Sequence, residues 1–176
     1  MKSGDNMKKY LNNKGSSYIW LMILIIIFIG MTVLLLDNVS IYMNTKKIKS
    51  GLNLSVKAAA LAIQEDEQLA EGIFTIEPVR AETNFIKIFA ENIGLDQVTL
   101  EPLPTGSLVI EKPEIKEFIV QNITPATYYS PALENSFHFE NPSVLAVIQV
   151  KVKGVFSSRT FTLYKLSSSQ LTSVYD

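Results

Sequence analysis

Tyr18 to Leu36 reads YIWLMILIIIFIGMTVLLL, 19 residues without a charge. As a helix rising about 1.5 Å per residue it reaches roughly 28 Å, close to the hydrocarbon thickness of a bilayer, so the stretch predicts a membrane span. Every later apolar run is broken by charge, Pro or Gly within about ten residues, and no second span is expected. A secretory signal has a shorter apolar core, about 7–15 residues, followed by a small-residue cleavage site. Asp37-Asn38-Val39-Ser40 offers no such site directly after the run, which favours a retained anchor. The expected layout is an N-terminal tail at 1–17, the span at 18–36, a stalk at 37–71 and a domain at 72–176. The roughly 140 residues beyond the span are enough to bury one core.

Orientation rests on lysines. Lys2, Lys8, Lys9 and Lys14 precede the span and favour a cytoplasmic N-terminus, while Lys46, Lys47 and Lys49 follow it and argue the other way. Tyr18 and Trp20 at one end and Tyr42 beyond the other are amphipathic rings placed as membrane-interface residues. A formal net charge of -1 gives no basic field for nucleic acid, and the absence of cysteine excludes disulfides, thiolate metal sites and a thiol nucleophile.

The helix is expected to continue past the membrane. Between Asp37 and Glu71 there is no Pro and only Gly51, and Ile41, Ile48, Leu52, Val56, Ala59 and Ile63 recur at helical spacing. That stripe is the candidate packing face, toward the chain's own domain or a neighbouring copy, so a homo-oligomer is among the expected assemblies. Lys46, Lys47, Lys49 and Lys57 fall mostly off it and read as a solvated face. Gln64-Glu65-Asp66-Glu67 and then Gly72 read as the stop.

A second helix is expected from Pro78 to Ile93. Pro78 suits its first turn, Phe85, Ile86, Phe89 and Ile93 supply its buried face, and Gly94-Leu95 reads as a left-handed cap. Beyond Asp96 the period changes to two. Val98–Leu103, Leu108–Glu111 and Ile115–Ile123 are candidate strands; Val144–Lys153 is the clearest, with Gly154 separating it from a hairpin partner at Val155–Leu166. Thr124–Pro142 reads as a long surface loop and Ser167-Ser168-Ser169 as a polar tail. Two helices followed by strands predict an α+β domain with an antiparallel sheet, borne on a single transmembrane helix and its amphipathic stalk.

Lys14-Gly15-Ser16-Ser17 before the span, Asp37 and Tyr42 after it, and Leu52-Asn53-Leu54-Ser55-Val56-Lys57-Ala58-Ala59-Ala60-Leu61-Ala62 resemble the N-terminal module of TadE/TadG-like proteins. These are pseudopilin-like components of bacterial Flp (tight-adherence) pilus systems. The resemblance is good over residues 13–63. It is looser through Ala90–Asp96 and Pro142–Leu166. It implies a single-pass subunit of the bacterial cell membrane, N-terminus cytoplasmic and C-terminal domain outside, whose partners are the bilayer, pilus or secretion assembly proteins and other pseudopilins. Processing by a prepilin-type peptidase would fall between Gly15 and Ser16. Type IV prepilins and many TadE-like proteins carry Glu at the fifth mature position, whereas this chain has Trp20 there. That departure fits a member that stays anchored, as TadG-like proteins do, rather than a major pilin.

Catalytic constellations are not found in the sequence. His138 is the single histidine, in Ser136-Phe137-His138-Phe139-Glu140 without a second histidine at ligand spacing. Glu65, Asp66 and Glu67 splay around a helix rather than converge, and Arg80 and Arg159 stand apart from other motifs. There is no phosphate-binding loop, dinucleotide fingerprint or nucleophile elbow. The expectation is a non-enzymatic assembly subunit without cofactor or metal. The alternative is an anchored extracellular binding module that holds a glycan or peptide in the Thr124–Pro142 loop.

Overall fold

The computed structural model describes residues 4–63, 75–156 and 159–171, with the backbone alone for residues 4–16. Helix α1 runs unbroken over Gly4–Ala60 and is followed by helix α2 at Pro78–Ile93. Five strands come next: β1 (Glu114–Gln121), β2 (Ala126–Ser130), β3 (Asn135–Phe139), β4 (Ser143–Lys153) and β5 (Thr160–Gln170). Strands β1, β4 and β5 form an antiparallel sheet with β4 in the middle, and β2 and β3 form a separate antiparallel hairpin. The architecture is α+β, as the change of period predicts.

The distal half of α1 is one wall of the domain. Ile48, Leu52, Val56 and Ala59 are fully buried and Ile41 packs partly against the same core. The stripe thus covers its own domain, packing on α2, β4 and β5. Gly51 sits at the crossing of the helices: a Cβ there would stand 3.0 Å from Asn92 Cβ and 3.2 Å from Ile93 Cγ2, so any side chain would push α2 outward by a few tenths of an ångström.

The stalk helix ends earlier than the sequence suggests. Beyond Ala60 the bonding tightens, with Ala62 N–H donating to Ala59 O at 3.1 Å, and Ile63 pairs antiparallel with Ile76. Glu77 N–H donates to Ala62 O at 2.8 Å, and the Asn122 side chain bonds both the N–H and the C=O of Ile76. These partners capture the backbone of 61–63 and 76–77, which outweighs the helix propensity of a Pro-free stretch. The expected continuation to Glu71 is therefore corrected to an end at Ala60; the acidic run and Gly72 lie outside the described residues.

Helix α2 keeps the expected bounds. Phe85, Phe89 and Ile93 are fully buried with Ala81 and Ala90, Ile86 is half-buried, and Gly94 caps the helix at φ 76°. Phe85 stacks on Phe89 with centroids 5.5 Å apart and meets Phe118 of β1 at 5.0 Å. Of the three earlier candidate strands only Ile115–Ile123 corresponds to one. Within Val98–Leu103 the Asp96 carboxylate accepts from Val98 N, Thr99 N and Thr99 Oγ1 and builds a turn. The segment Leu108–Glu111 joins no named strand; Ile110 N–H donates singly to Lys151 O.

Strand β4 is buried on both faces over most of its length. Val144, Ala146, Ile148, Val150 and Val152 face the helices, while Leu145 and Val147 face a second cluster with Phe139, Tyr128, Phe137 and Leu166. That second cluster corrects the Thr124–Pro142 loop. Tyr128, Phe137 and Phe139 alternate along β2 and β3 and cover the outer face of the sheet. Glu117 ties the hairpin down, accepting from Ala132 N–H at 2.7 Å and from Tyr128 OH at 3.4 Å. A bulge between Ile115 and Glu117 turns Ile115 and Phe118 both toward the helices and leaves Glu117 free to reach the hairpin. The three serines are likewise not a tail. They belong to β5, where Ser167 Oγ donates to Asn53 Oδ1 of α1 at 2.8 Å.

Candidate functional site

Two features of α1 are candidates for a functional role: a long apolar surface that none of the described residues covers, and the point at which the domain grips the helix below its core.

The apolar surface comes directly from the uncharged run. The large apolar side chains from Tyr18 to Leu36, Val33 excepted, are 41% to 70% exposed on every side of the helix. Burying each such side chain contributes about 1.5–3 kcal/mol, so a naked cylinder of them in water would be strongly unfavourable. The helix is apolar and long enough to cross a bilayer and lies near the N-terminus, which is compatible with a single-pass membrane anchor. Tyr18 and Trp20 are each 70% exposed at its start. Tyr42, six residues beyond its end, is 59% exposed, with Lys46 Nζ 4.6 Å above its ring. Gly15 and Ser16 lie within the helical backbone of α1.

The grip centres on Asp37, the first charged residue after the apolar run. It is only 4% exposed, and its Oδ1 accepts a hydrogen bond from Phe156 N–H at 2.7 Å. Gly154 makes the approach possible, because a Cβ at that position would lie 2.8 Å from the Asp37 carboxylate. Arg159 and Phe161 share a small recess with Leu34, Asp37, Asn38 and Ile41. The far end of the β4–β5 pair is thereby fixed to the helix at the boundary between its apolar and polar halves.

A second grip lies about three turns further along α1. Lys49, half-buried, donates from Nζ to the carbonyl of Leu166 on β5, which corrects its place on a solvated face; Lys46, Lys47 and Lys57 are exposed as expected. Burial, and after it the neighbouring Lys165 charge, hold the Lys49 ammonium below the ordinary lysine range. A folded-state pKa below the unfolded value means that the unfolded chain binds more protons in the window between them. Stability contributed by this group is therefore expected to rise as pH climbs through the folded pKa toward 10.5. Denaturation midpoints measured in detergent across the alkaline range should rise in the wild type relative to Lys49→Met. Parallel profiles for the two proteins would remove Lys49 as the source.

Of the remaining sequence candidates, Ile63 lies in the bridge to Ile76 rather than on the helical face. His138 is exposed on β3, with Nδ1 3.1 Å from Thr127 Oγ1 across the hairpin. Among the described residues no group of three or more His, Asp and Glu is placed to hold a metal ion. In the sequence Asp37 marks the end of the apolar run, the missing cleavage site and part of the TadE/TadG-like resemblance, and Gly154 marks a strand boundary; nothing there pairs the two. Their partnership joins residues 117 apart, and the one local signal was a carboxylate directly abutting an apolar span. No family model matches the chain, and neither a curated protein nor a solved structure matches it significantly. The fold and the two grips define a class, a single-helix anchor candidate whose domain is clamped to its own helix, and no particular family is identified.

Proposed function

We propose that the protein is a non-enzymatic structural subunit of a bacterial Flp (Tad)-type pilus or related secretion apparatus, held in the cell membrane by residues 18–36 with its C-terminal domain outside. The observation that carries this reading is the continuity of α1, whose proximal half is bare apolar surface and whose distal half is a wall of the domain core. Such a domain moves with its anchor as one body. A lateral force on the membrane helix is then transmitted to the outer domain, as assembly of a filament or an envelope-spanning channel requires. The residues from Lys14 to Ser17 and from Leu52 to Ala62 that resemble TadE/TadG-like proteins support the same reading. The four lysines ahead of the span, against the three of Lys46, Lys47 and Lys49 after it, favour a cytoplasmic N-terminus.

Crosslinking in intact membranes, followed by capture of the full chain and mass spectrometry, is expected to recover the ATPase or membrane platform proteins of a pilus-type system. Recovery of an envelope glycan or peptide alone would replace this reading with an anchored binding module.

A further inference from the structure

We infer that the β4–β5 end beside Asp37 is a second membrane contact, in which Val155 and Phe156 enter the interfacial zone of the same leaflet that α1 leaves, flanked by Lys153 and Arg159 facing lipid phosphate. The inference rests on the anchor part of the proposed function and adds to it a phospholipid surface as the partner of the outer domain.

Three observations bear on it. The first is level. Phe156 N–H bonds the carboxylate of Asp37, one residue beyond the apolar run, and Arg159 and Phe161 share a recess with Leu34 and Ile41. Residues 34–41 occupy only about 10 Å of helix axis. The headgroup zone of a bilayer is roughly 5–8 Å thick on each side, so a body fixed at Asp37 lies within or against it. Val33, one turn before Asp37, is also the single described residue of the apolar run that is not freely exposed.

The second observation is chemistry. Val155 is 65% and Phe156 60% exposed, adjacent in sequence just beyond the end of β4. Val79, Val98 and Ile123 are exposed too, but none has an exposed large apolar neighbour in sequence, which is ordinary for a protein surface. Lys153 and Arg159 are exposed on either side of the pair. Apolar residues bordered by cations suit an interface whose outer layer is phosphate and whose inner layer is acyl chain.

The third is rigidity. The Asp37 hydrogen bond and the close approach of Gly154 hold this end against the helix, so the tip enters the interface without a separate ordering cost.

The test uses the full chain in phosphatidylcholine and phosphatidylglycerol vesicles, with and without lipids brominated near the top of the acyl chain. Trp20 is the sole tryptophan, so wild-type emission reports on the anchor itself. A Trp20→Phe/Phe156→Trp variant moves the reporter to the tip, and Trp20→Phe/Val155→Trp serves if the first does not fold. The expected result is blue-shifted tip emission that loses most of its intensity in brominated vesicles. Quenching of Trp20 with a red, unquenched tip would overturn the inference and leave the anchor standing. If neither reporter is quenched, the anchor fails and the inference fails with it. A blue-shifted tip that ignores bromine but responds to the protein-to-lipid ratio would assign the surface to a second copy of the chain and also overturn the inference.

Discussion

Phe85→Ala is expected to lower unfolding stability by about 3–5 kcal/mol, the largest loss from a single side-chain truncation in this domain. Phe85 is fully buried where α2 meets the sheet: it stacks on Phe89 within α2 and packs against Phe118 of β1. Removing the ring forfeits its transfer free energy and leaves a cavity bordered by two aromatic rings that α1 and the sheet prevent from collapsing. Val79→Ala on the same helix, at a position 73% exposed, serves as the comparison and should change stability by less than about 0.5 kcal/mol. Urea midpoints of the detergent-solubilised chain, followed by near-ultraviolet circular dichroism, would measure both. Similar midpoints for Phe85→Ala and Val79→Ala would show that the contact between α2 and the sheet contributes little to the core.

Ala59→Pro should cost about 3 kcal/mol or more. The substitution removes the helical hydrogen bond donated by Ala59 and drives a ring toward the carbonyl of Ser55, at a site with no exposed surface in which to absorb the shift. The helix cannot simply end one turn sooner, because Ala60 and Ala62 beyond it are buried in the same core and Ala62 O accepts from Glu77 N–H. Leu61→Ala, two residues away and 69% exposed, is expected to be near neutral. Hydrogen exchange along 48–60 would localise the effect. Protection that survives in Ala59→Pro would mean that the last turn of α1 is not part of the cooperative core.

Both substitutions act on elements that periodicity predicts. The stripe from Ile48 to Ala59 and the face of α2 are legible because one side of each helix is covered continuously by apolar surface, which imposes a recurrence of three and four along the chain. Gly94 is legible too, since a helix ending in a left-handed residue favours glycine. The Thr124–Pro142 segment misleads because its strands are only five residues each and are separated by Pro131-Ala132-Leu133-Glu134, a short stretch with no strand periodicity. Their apolar side chains need only alternate over a few positions to cover Leu145 and Val147. Short strands of that kind resemble a loop until the surface they cover is known. Lys49 misleads for a related reason. A lysine stem is apolar enough to lie against β5 while its ammonium reaches a carbonyl, and charge alone does not distinguish that from a solvated position.

The sequence by itself determined the bare apolar helix, its continuation into a packing stripe, the second helix and the turn to antiparallel strands, because each follows from hydrophobic spacing within a few turns of chain. Only the tertiary structure decided where α1 stops, that β4 is covered on both faces, and that Asp37 accepts a hydrogen bond from Phe156. Those outcomes depend on partners far apart in sequence, such as Ala62 with Glu77, Val147 with Phe139 and Asp37 with Gly154. Local propensity carries no record of such pairs; they exist only once the core has brought them within hydrogen-bonding or van der Waals distance.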